Sequence, residues 1–238
     1  MKNIYLIMMA GMLCSSCFMN ENTSNNRHSE KEDLVTAEKK KVQQIKVADL
    51  PVHIDSTQYL IHPVGVYEIE EKRSKTRMGS YSGYGAQNFK VSTQVGDEIS
   101  GNMNSITFQH IETGVAHELT NKDVRIISAT FLRDIFNTTK KQLLVYQVID
   151  ADTNKDGVKN YLDQKSLYIG AMGGGGFTKL TQQGHELIDW KVIAATNKLF
   201  FRSVKDINKN GVLEKEDVVS HHVIDLEKET LTPVYYQL

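Results

Sequence analysis

The chain has 238 residues, a formal net charge of −1, 40% apolar and 24% charged residues. That length supports one sizeable core or two small ones, and the composition is that of a soluble globular domain. A balance this close to neutral sets up no field that would favour nucleic acid or an acidic substrate.

The first stretch is not globular. "MKNIYLIMMAGMLCSSC" places Lys2 ahead of an apolar run from Ile4 to Leu13, then small residues, the layout of a secretory signal. The run is far shorter than the ~20 residues a membrane span requires. The segment resembles a bacterial lipoprotein signal, in which a cysteine becomes the first residue of the mature chain and carries acyl chains. Cys17 follows Ser15 and Ser16, small residues such a signal tolerates; Cys14 follows Met12 and Leu13 and fits less well. Having Cys14 rather than Leu three residues before Cys17 departs from the pattern. The resemblance implies a signal peptide over 1–16, lipidation at Cys17 and attachment to a membrane of the bacterial cell envelope, periplasmic or surface-exposed. A redox reading of "CSSC" would need a folded helix N-terminus to lower the thiol pKa, and here the motif ends a signal.

Residues 17–48 are rich in Asn, Glu and Lys and nearly free of aromatics. Such a segment buries too little apolar surface to offset its ordering entropy, so it reads as a polar tether. From 49 to 238 the pattern changes to short runs such as "TQYLIHPV", "VRIISATFL", "QLLVYQVID", "LIDWKVIAA" and "VVSHHVIDL", rich in Val, Ile, Phe, Tyr and Thr and separated by turn residues. No helical stripe competes, and the expected fold is all-β, antiparallel. Residues 71–88, "EKRSKTRMGSYSGYGAQN", carry basic side chains and then alternating Gly and Tyr. Stacking on a nucleic acid strand or a glycan is one use of such a stretch; a long exposed loop is the simpler reading, and the secreted address argues against nucleic acid.

Sliding the chain by 54 positions superposes "DTNKDGVKNYLDQKSLYIGAMGGGGFTKLT" from Asp152 on "DINKNGVLEKEDVVSHHVIDLEKETLTPVY" from Asp206 without a gap. The upstream strands "LVYQV" and "LFFRS" correspond, and "SITFQHIETGVAHELT" has the shape of a third, weaker copy. A period near 50 marks one supersecondary unit used several times. Each unit reads strand, strand, calcium-type loop, strand, tight turn, strand, and four antiparallel strands make a propeller blade. Over roughly 103–238 the chain resembles bacterial TolB-like β-propeller proteins, whose blades often carry a "DxNxDG" loop and close with "LT". The resemblance implies β-propeller-like four-stranded units. The length gives only three to four blades, fewer than those propellers usually have, which leaves a small closed ring, an open arc or a β-sandwich of the same hairpins. The "GGGG" of 173–176 aligns with the turn "EKET"; it lacks the following helix and Lys-Ser/Thr of a phosphate loop and reads as a flexible hairpin turn.

A calcium loop presents oxygens at positions 1, 3, 5, 7, 9 and 12, with Gly at 6 for the sharp turn. At 152–163 these are Asp152, Asn154, Asp156, the Val158 carbonyl, Asn160 and Asp163, with Gly157 at the turn. At 206–217 they are Asp206, Asn208, Asn210, the Val212 carbonyl, Glu214 and Asp217, with Gly211. Position 12 is Asp, as in dockerin modules, which these loops resemble. Dockerin loops, however, lie some twenty-odd residues apart and run into helices, whereas these lie 54 apart and exit into strands. Asp reaches less far than Glu, and Lys155, Lys159, Lys209 and Lys215 dilute the charge, so the expected ion is a weakly bound structural calcium, with Kd on the order of 10⁻⁴–10⁻³ M.

No catalytic residues are assigned. There is no G-x-S-x-G or H-E-x-x-H; His117 and His185 each begin "HEL" with no second His at the zinc spacing. His221 and His222 point to opposite faces of one strand. The expectation is a lipid-anchored, calcium-binding, non-enzymatic β-repeat module whose face takes a protein or glycan ligand. The alternative is an envelope hydrolase or lyase acting on a glycan, with residues drawn from separate strands.

Overall fold

A computed structural model of the chain describes residues 43–69, 90–208 and 214–237. The signal segment, Cys17, the basic Gly/Tyr stretch of 71–88 and positions 209–213 of the second loop lie outside these residues. The architecture is mostly antiparallel β-sheet, with one sheet curled into a half-barrel.

Sheet 1 has the order β1 (Gln43–Ala48), β3 (Tyr59–Ile69), β6 (Ser105–His110), β7 (Ala116–Glu118), with β2 (Val52–His53) also on β3. β1 and β2 run along the same side of β3, interrupted around Pro51, which has no N–H to give to a ladder. Residues 43–48, read above as the end of the tether, thus belong to this sheet. Alternation of Ile45 and Val47 with Lys46 and Ala48 gives the strand its half-buried face.

Sheet 2 has the order β11 (Thr178–Lys179), β10 (Ser166–Ala171), β9 (Leu143–Ile149), β8 (Arg125–Phe131), β5 (Glu98–Met103), β4 (Ser92–Val95). Sheet 3 is β12 (His185–Ile193), β13 (Lys198–Lys205), β14 (Val218–Asp225), β15 (Val234–Tyr235). β8–β11 and β12–β15 are therefore two consecutive four-stranded meanders, and each carries one of the repeated loops between its second and third strands. A short helix, α1 (Arg133–Thr139), joins β8 to β9, and a 3-10 turn over Ala194–Thr196 joins β12 to β13.

The sheets pack through two apolar clusters. In the first, Ile61, Ile106 and Phe108 of sheet 1 meet Ile126, Leu144, Tyr146, Val148 and Tyr168 of sheet 2. In the second, Leu143, Val145, Leu167 and Ile169 of sheet 2 meet Leu187, Leu199, Phe201 and Ile224 of sheet 3. The run "LLVYQVI" of β9, apolar but for Gln147, is explained by this: side chains of alternate residues enter opposite clusters, so both faces of sheet 2 are covered. Fully burying each such side chain contributes about 1.5–3 kcal/mol relative to exposure.

Ladder register converts the sequence repeat into a structural one. Val148 lies opposite Ser166, and Ser203 opposite Ser220. Leu144, Tyr146 and Val148 thus correspond to Leu199, Phe201 and Ser203, each set facing the preceding sheet. On the other face Leu143, Val145 and Gln147 correspond to Lys198, Phe200 and Arg202. Arg202 pairs there with Asp189, and Phe200 meets the edge of Tyr236 at 5.8 Å. The far side of sheet 1 is mixed: His62 Nε2 lies 3.0 Å from Gln109 Oε1, beside Leu60, Val64 and Val66 of the same strand face.

The "GGGG" segment is the β10–β11 turn, and contact rather than flexibility demands its glycine. Gly173 has φ +90°, and a Cβ there would lie 2.8 Å from the Tyr59 ring. Its carbonyl sits 2.7 Å from His117 Nε2, which ties the turn of sheet 2 to β7 of sheet 1.

Candidate functional site

The first loop leaves β9 and returns into β10, so both ends are pinned by a ladder of six residue pairs. Within it, short polar side chains accept backbone N–H groups a few residues ahead and wind the chain inward. Asp152 Oδ2 accepts Gly157 N–H at 2.8 Å and its Oδ1 accepts Asp156 N–H at 3.2 Å. Asn154 Oδ1 accepts Asp156 N–H at 3.0 Å, Asp156 Oδ1 accepts Val158 N–H at 2.8 Å, and Asn160 Oδ1 accepts Leu162 N–H at 2.8 Å. Gly157, the sixth position, has φ +87°, the left-handed conformation that a sharp turn assigns to glycine.

Four of the expected ligand positions come together. Asn154 Nδ2 and Asn160 Nδ2 both reach Asp156 Oδ2, at 3.2 and 3.4 Å, and Asn160 Nδ2 lies 3.3 Å from the Val158 carbonyl. These contacts are made by amide N–H donors, so an ion held there would require the Asn154 and Asn160 amides to turn their oxygens inward, toward the oxygen set that suits calcium. Among the described residues no three His, Cys, Asp or Glu side chains converge.

Asp163 stands apart. It is 3% exposed. Its Oδ1 accepts Thr153 N–H at 2.7 Å, the Thr153 hydroxyl at 3.1 Å and Asn154 N–H at 3.3 Å, while Oδ2 accepts Asn160 N–H at 2.9 Å. Burial pushes this carboxyl up, but the backbone donors of Asn160, Thr153 and Asn154 outweigh it and hold the group below the usual carboxylate range. Asp163 is the clasp that closes the loop, and it would reach an ion only by giving up some of these donors.

The second loop has the same clasp. Asp217 Oδ1 accepts Ile207 N–H at 3.0 Å and Oδ2 accepts Glu214 N–H at 2.9 Å. These are the second and ninth loop positions, the same ones Asp163 holds. The return bond is shared too: Asp163 N–H donates to the Asn160 carbonyl at 3.0 Å, and Asp217 N–H to that of Glu214 at 3.2 Å. Asn208 Nδ2 donates to Glu214 Oε2 at 3.0 Å. Asp206 is described but Asn210 and Val212, with Gly211, lie outside the described residues.

Two clusters were not visible in the sequence. Asp150, two residues before the first loop, accepts Lys179 Nζ at 2.7 Å, Tyr168 OH at 2.8 Å and Ser166 Oγ at 3.2 Å. Burial works against its carboxylate, yet these donors prevail and lower its pKa; burial and the same carboxylate push the Tyr168 phenol well up. In sheet 3, Ser203 Oγ lies between His185 Nδ1 at 3.3 Å and His222 Nε2 at 3.5 Å. His222 is buried, whereas His221 lies on the outer face beside Tyr236. The members of each cluster come from segments apart in sequence, so no spacing pattern marks either one.

Comparison with family models, with curated proteins and with solved structures finds no match.

Proposed function

We propose that this chain is a lipid-anchored, calcium-binding β-repeat protein of the bacterial cell envelope, a non-enzymatic binding or scaffold module in which calcium is structural. The observation that carries the reading is the common frame of the two loops. Both are clasped by an Asp at position 12 through the second and ninth N–H groups, and in the first Asn154, Val158 and Asn160 gather about Asp156. Calcium, held by Asp152, Asn154, Asp156, the Val158 carbonyl, Asn160 and, on loosening of the clasp, Asp163, would supply charge neutralisation and cross-linking of the loop, and no chemistry.

The three sheets are read as successive blades of a TolB-like arc that stays open. Support comes from the outer faces, where Lys198, Arg202 and His62 interrupt the apolar side chains that a closed ring would bring together. Membrane attachment through Cys17 rests on its signal-like context. The nearest approach to an acid/base group, Asp150 with Lys179 and Tyr168, is spent on internal hydrogen bonds.

Cells expressing the chain are labelled with a clickable fatty acid. Labelling that disappears in Cys17→Ser, together with release to the soluble fraction, supports the anchor; undiminished labelling removes it. Capture of envelope proteins or glycans by the full chain, weakened by EGTA, supports the module; turnover of an envelope glycan by the purified chain would replace it with the hydrolase or lyase reading.

A further inference from the structure

The geometry points to an acid-sensitive latch in sheet 3, in which the buried chain His185–Ser203–His222 holds the sheet 2–sheet 3 interface closed at neutral pH and releases it on protonation. This inference does not depend on calcium or on the lipid anchor.

The three residues come from neighbouring strands, β12, β13 and β14. Ser203 corresponds by register to Val148, which faces the first core, so it projects toward sheet 2 rather than solvent. Ser203 is 0% exposed, His222 2% and His185 9%. His222 stacks on Phe201, a member of the second core, with ring centroids 4.7 Å apart and planes 15° from parallel. At the same end of the interface Leu187 N–H donates to the Lys165 carbonyl at 2.7 Å, a direct backbone link from sheet 3 to the residue before β10.

Proton counting gives the switch. A serine hydroxyl has one proton and two lone pairs, and a neutral imidazole has one N–H and one bare nitrogen. In the neutral chain Ser203 donates to one imidazole and accepts from the other. Adding a proton to the imidazole that accepts from Ser203 makes both facing nitrogens donors; adding it to the other puts a second N–H on that ring's outer nitrogen and leaves the bonds to Ser203 in place but charged. In the first case the Ser203 oxygen can accept both, but its own proton then loses its imidazole acceptor in a site closed to water; in either case a positive charge is buried beside it. A second proton buries two like charges on one hydroxyl, an arrangement that desolvation penalises heavily. The Phe201 face attracts an imidazolium weakly but accepts no strong hydrogen bond.

The charged surroundings do not compensate. Lys205 lies directly opposite His185 in the ladder, His221 follows on β14, and Glu186 is engaged with Lys165, with Asp206 beyond. Sheet 2 brings the apolar Leu143, Val145, Leu167 and Ile169 and the uncharged amide of Gln147 to this side, and Tyr235 lies opposite His222 in the ladder. Burial, reinforced by Lys205 at His185 and by the other imidazoles at His222, holds both below the usual histidine range. Histidines whose folded pKa is depressed add stability above their unfolded pKa, about 6.5, and lose it as pH falls below that value.

The test is performed on the full chain. Two groups that take up protons only on unfolding raise the unfolding constant by up to about 100-fold per pH unit below roughly pH 6. Denaturant titrations from pH 7.5 to 5 should show this rise. Hydrogen exchange at pH 5.5 should place the new openings in β12–β15 while β8–β10 stay protected. His185→Gln with His222→Gln should flatten the pH dependence. Should that variant fail to fold, the imidazole resonances of the unmodified chain decide: two should titrate well below the others. Imidazoles that all titrate together, or acid loosening spread evenly over the three sheets, would overturn the latch.

Discussion

Sheets 2 and 3 are built from one repeat and differ in what lies against their second face. In sheet 2 that face carries Leu143, Val145, Leu167 and Ile169 and is covered by the next sheet. In sheet 3 the corresponding β13 positions are Lys198, Phe200 and Arg202, with Arg202 paired to Asp189. The loops, clasps and ladders are alike, so the backbone unit does not depend on being sandwiched. Of the three positions only Leu143 has a cationic counterpart, Lys198; Val145 is matched by Phe200 and the polar Gln147 by Arg202, so the second face of sheet 3 mixes apolar and charged side chains.

The largest effect should come from exchanging that character. Val145→Lys places an unpaired charge in the second core and should cost on the order of 3 kcal/mol or more. Phe200→Lys, at the corresponding position of sheet 3, should cost about 1 kcal/mol or less. Urea unfolding of the two variants measures the difference, and equal losses would mean that the outer face of sheet 3 is covered after all. Gly173→Ala should come next, at roughly 1–3 kcal/mol, because the new Cβ meets the Tyr59 ring and sits at φ +90°. Its cost should appear as increased hydrogen exchange in β7, where His117 holds the turn, whereas Glu227→Ala in the matching turn of sheet 3 should change little.

The smallest effect has the opposite sign. Tyr146 is 0% exposed and its hydroxyl has no hydrogen-bond partner among the described residues; burial alone pushes that phenol far up. Its counterpart in sheet 3 is already a phenylalanine, Phe201. Tyr146→Phe removes an unsatisfied polar atom and should be neutral or stabilise by up to about 1 kcal/mol, readable as a small rise in Tm. A loss instead would mean that the hydroxyl is satisfied, by a buried water for instance.

Much of this was legible from spacing. The 54-residue shift located both loops, and strands rich in β-branched residues gave an all-β fold. The tether was extended too far, because Gln43, Gln44 and Lys46 make β1 look polar although Ile45 and Val47 supply a strand's alternate face. The glycine run read as flexible because close contact with Tyr59, over a hundred residues away, leaves no local trace. Position 12 was read only as a ligand; that Asp163 and Asp217 clasp the loops depends on N–H directions, which residue types do not encode. The two polar clusters were hidden for the same reason. His185, Ser203 and His222 meet only once three strands are in register.

The central claim is that the two loops are structural calcium sites. It is tested most directly by calorimetry of calcium binding to the full chain, alongside melting in calcium and EGTA. The account predicts two sites with Kd on the order of 10⁻⁴–10⁻³ M. At free calcium about ten times Kd each should add roughly 1.4 kcal/mol of stability. Asp152→Ala and Asp206→Ala should each remove one site and the double change both, with magnesium a poor substitute because of its tighter octahedral demand. No heat of binding at millimolar calcium, with superimposable melting curves in calcium and EGTA, would contradict it and leave the loops as clasped polar turns.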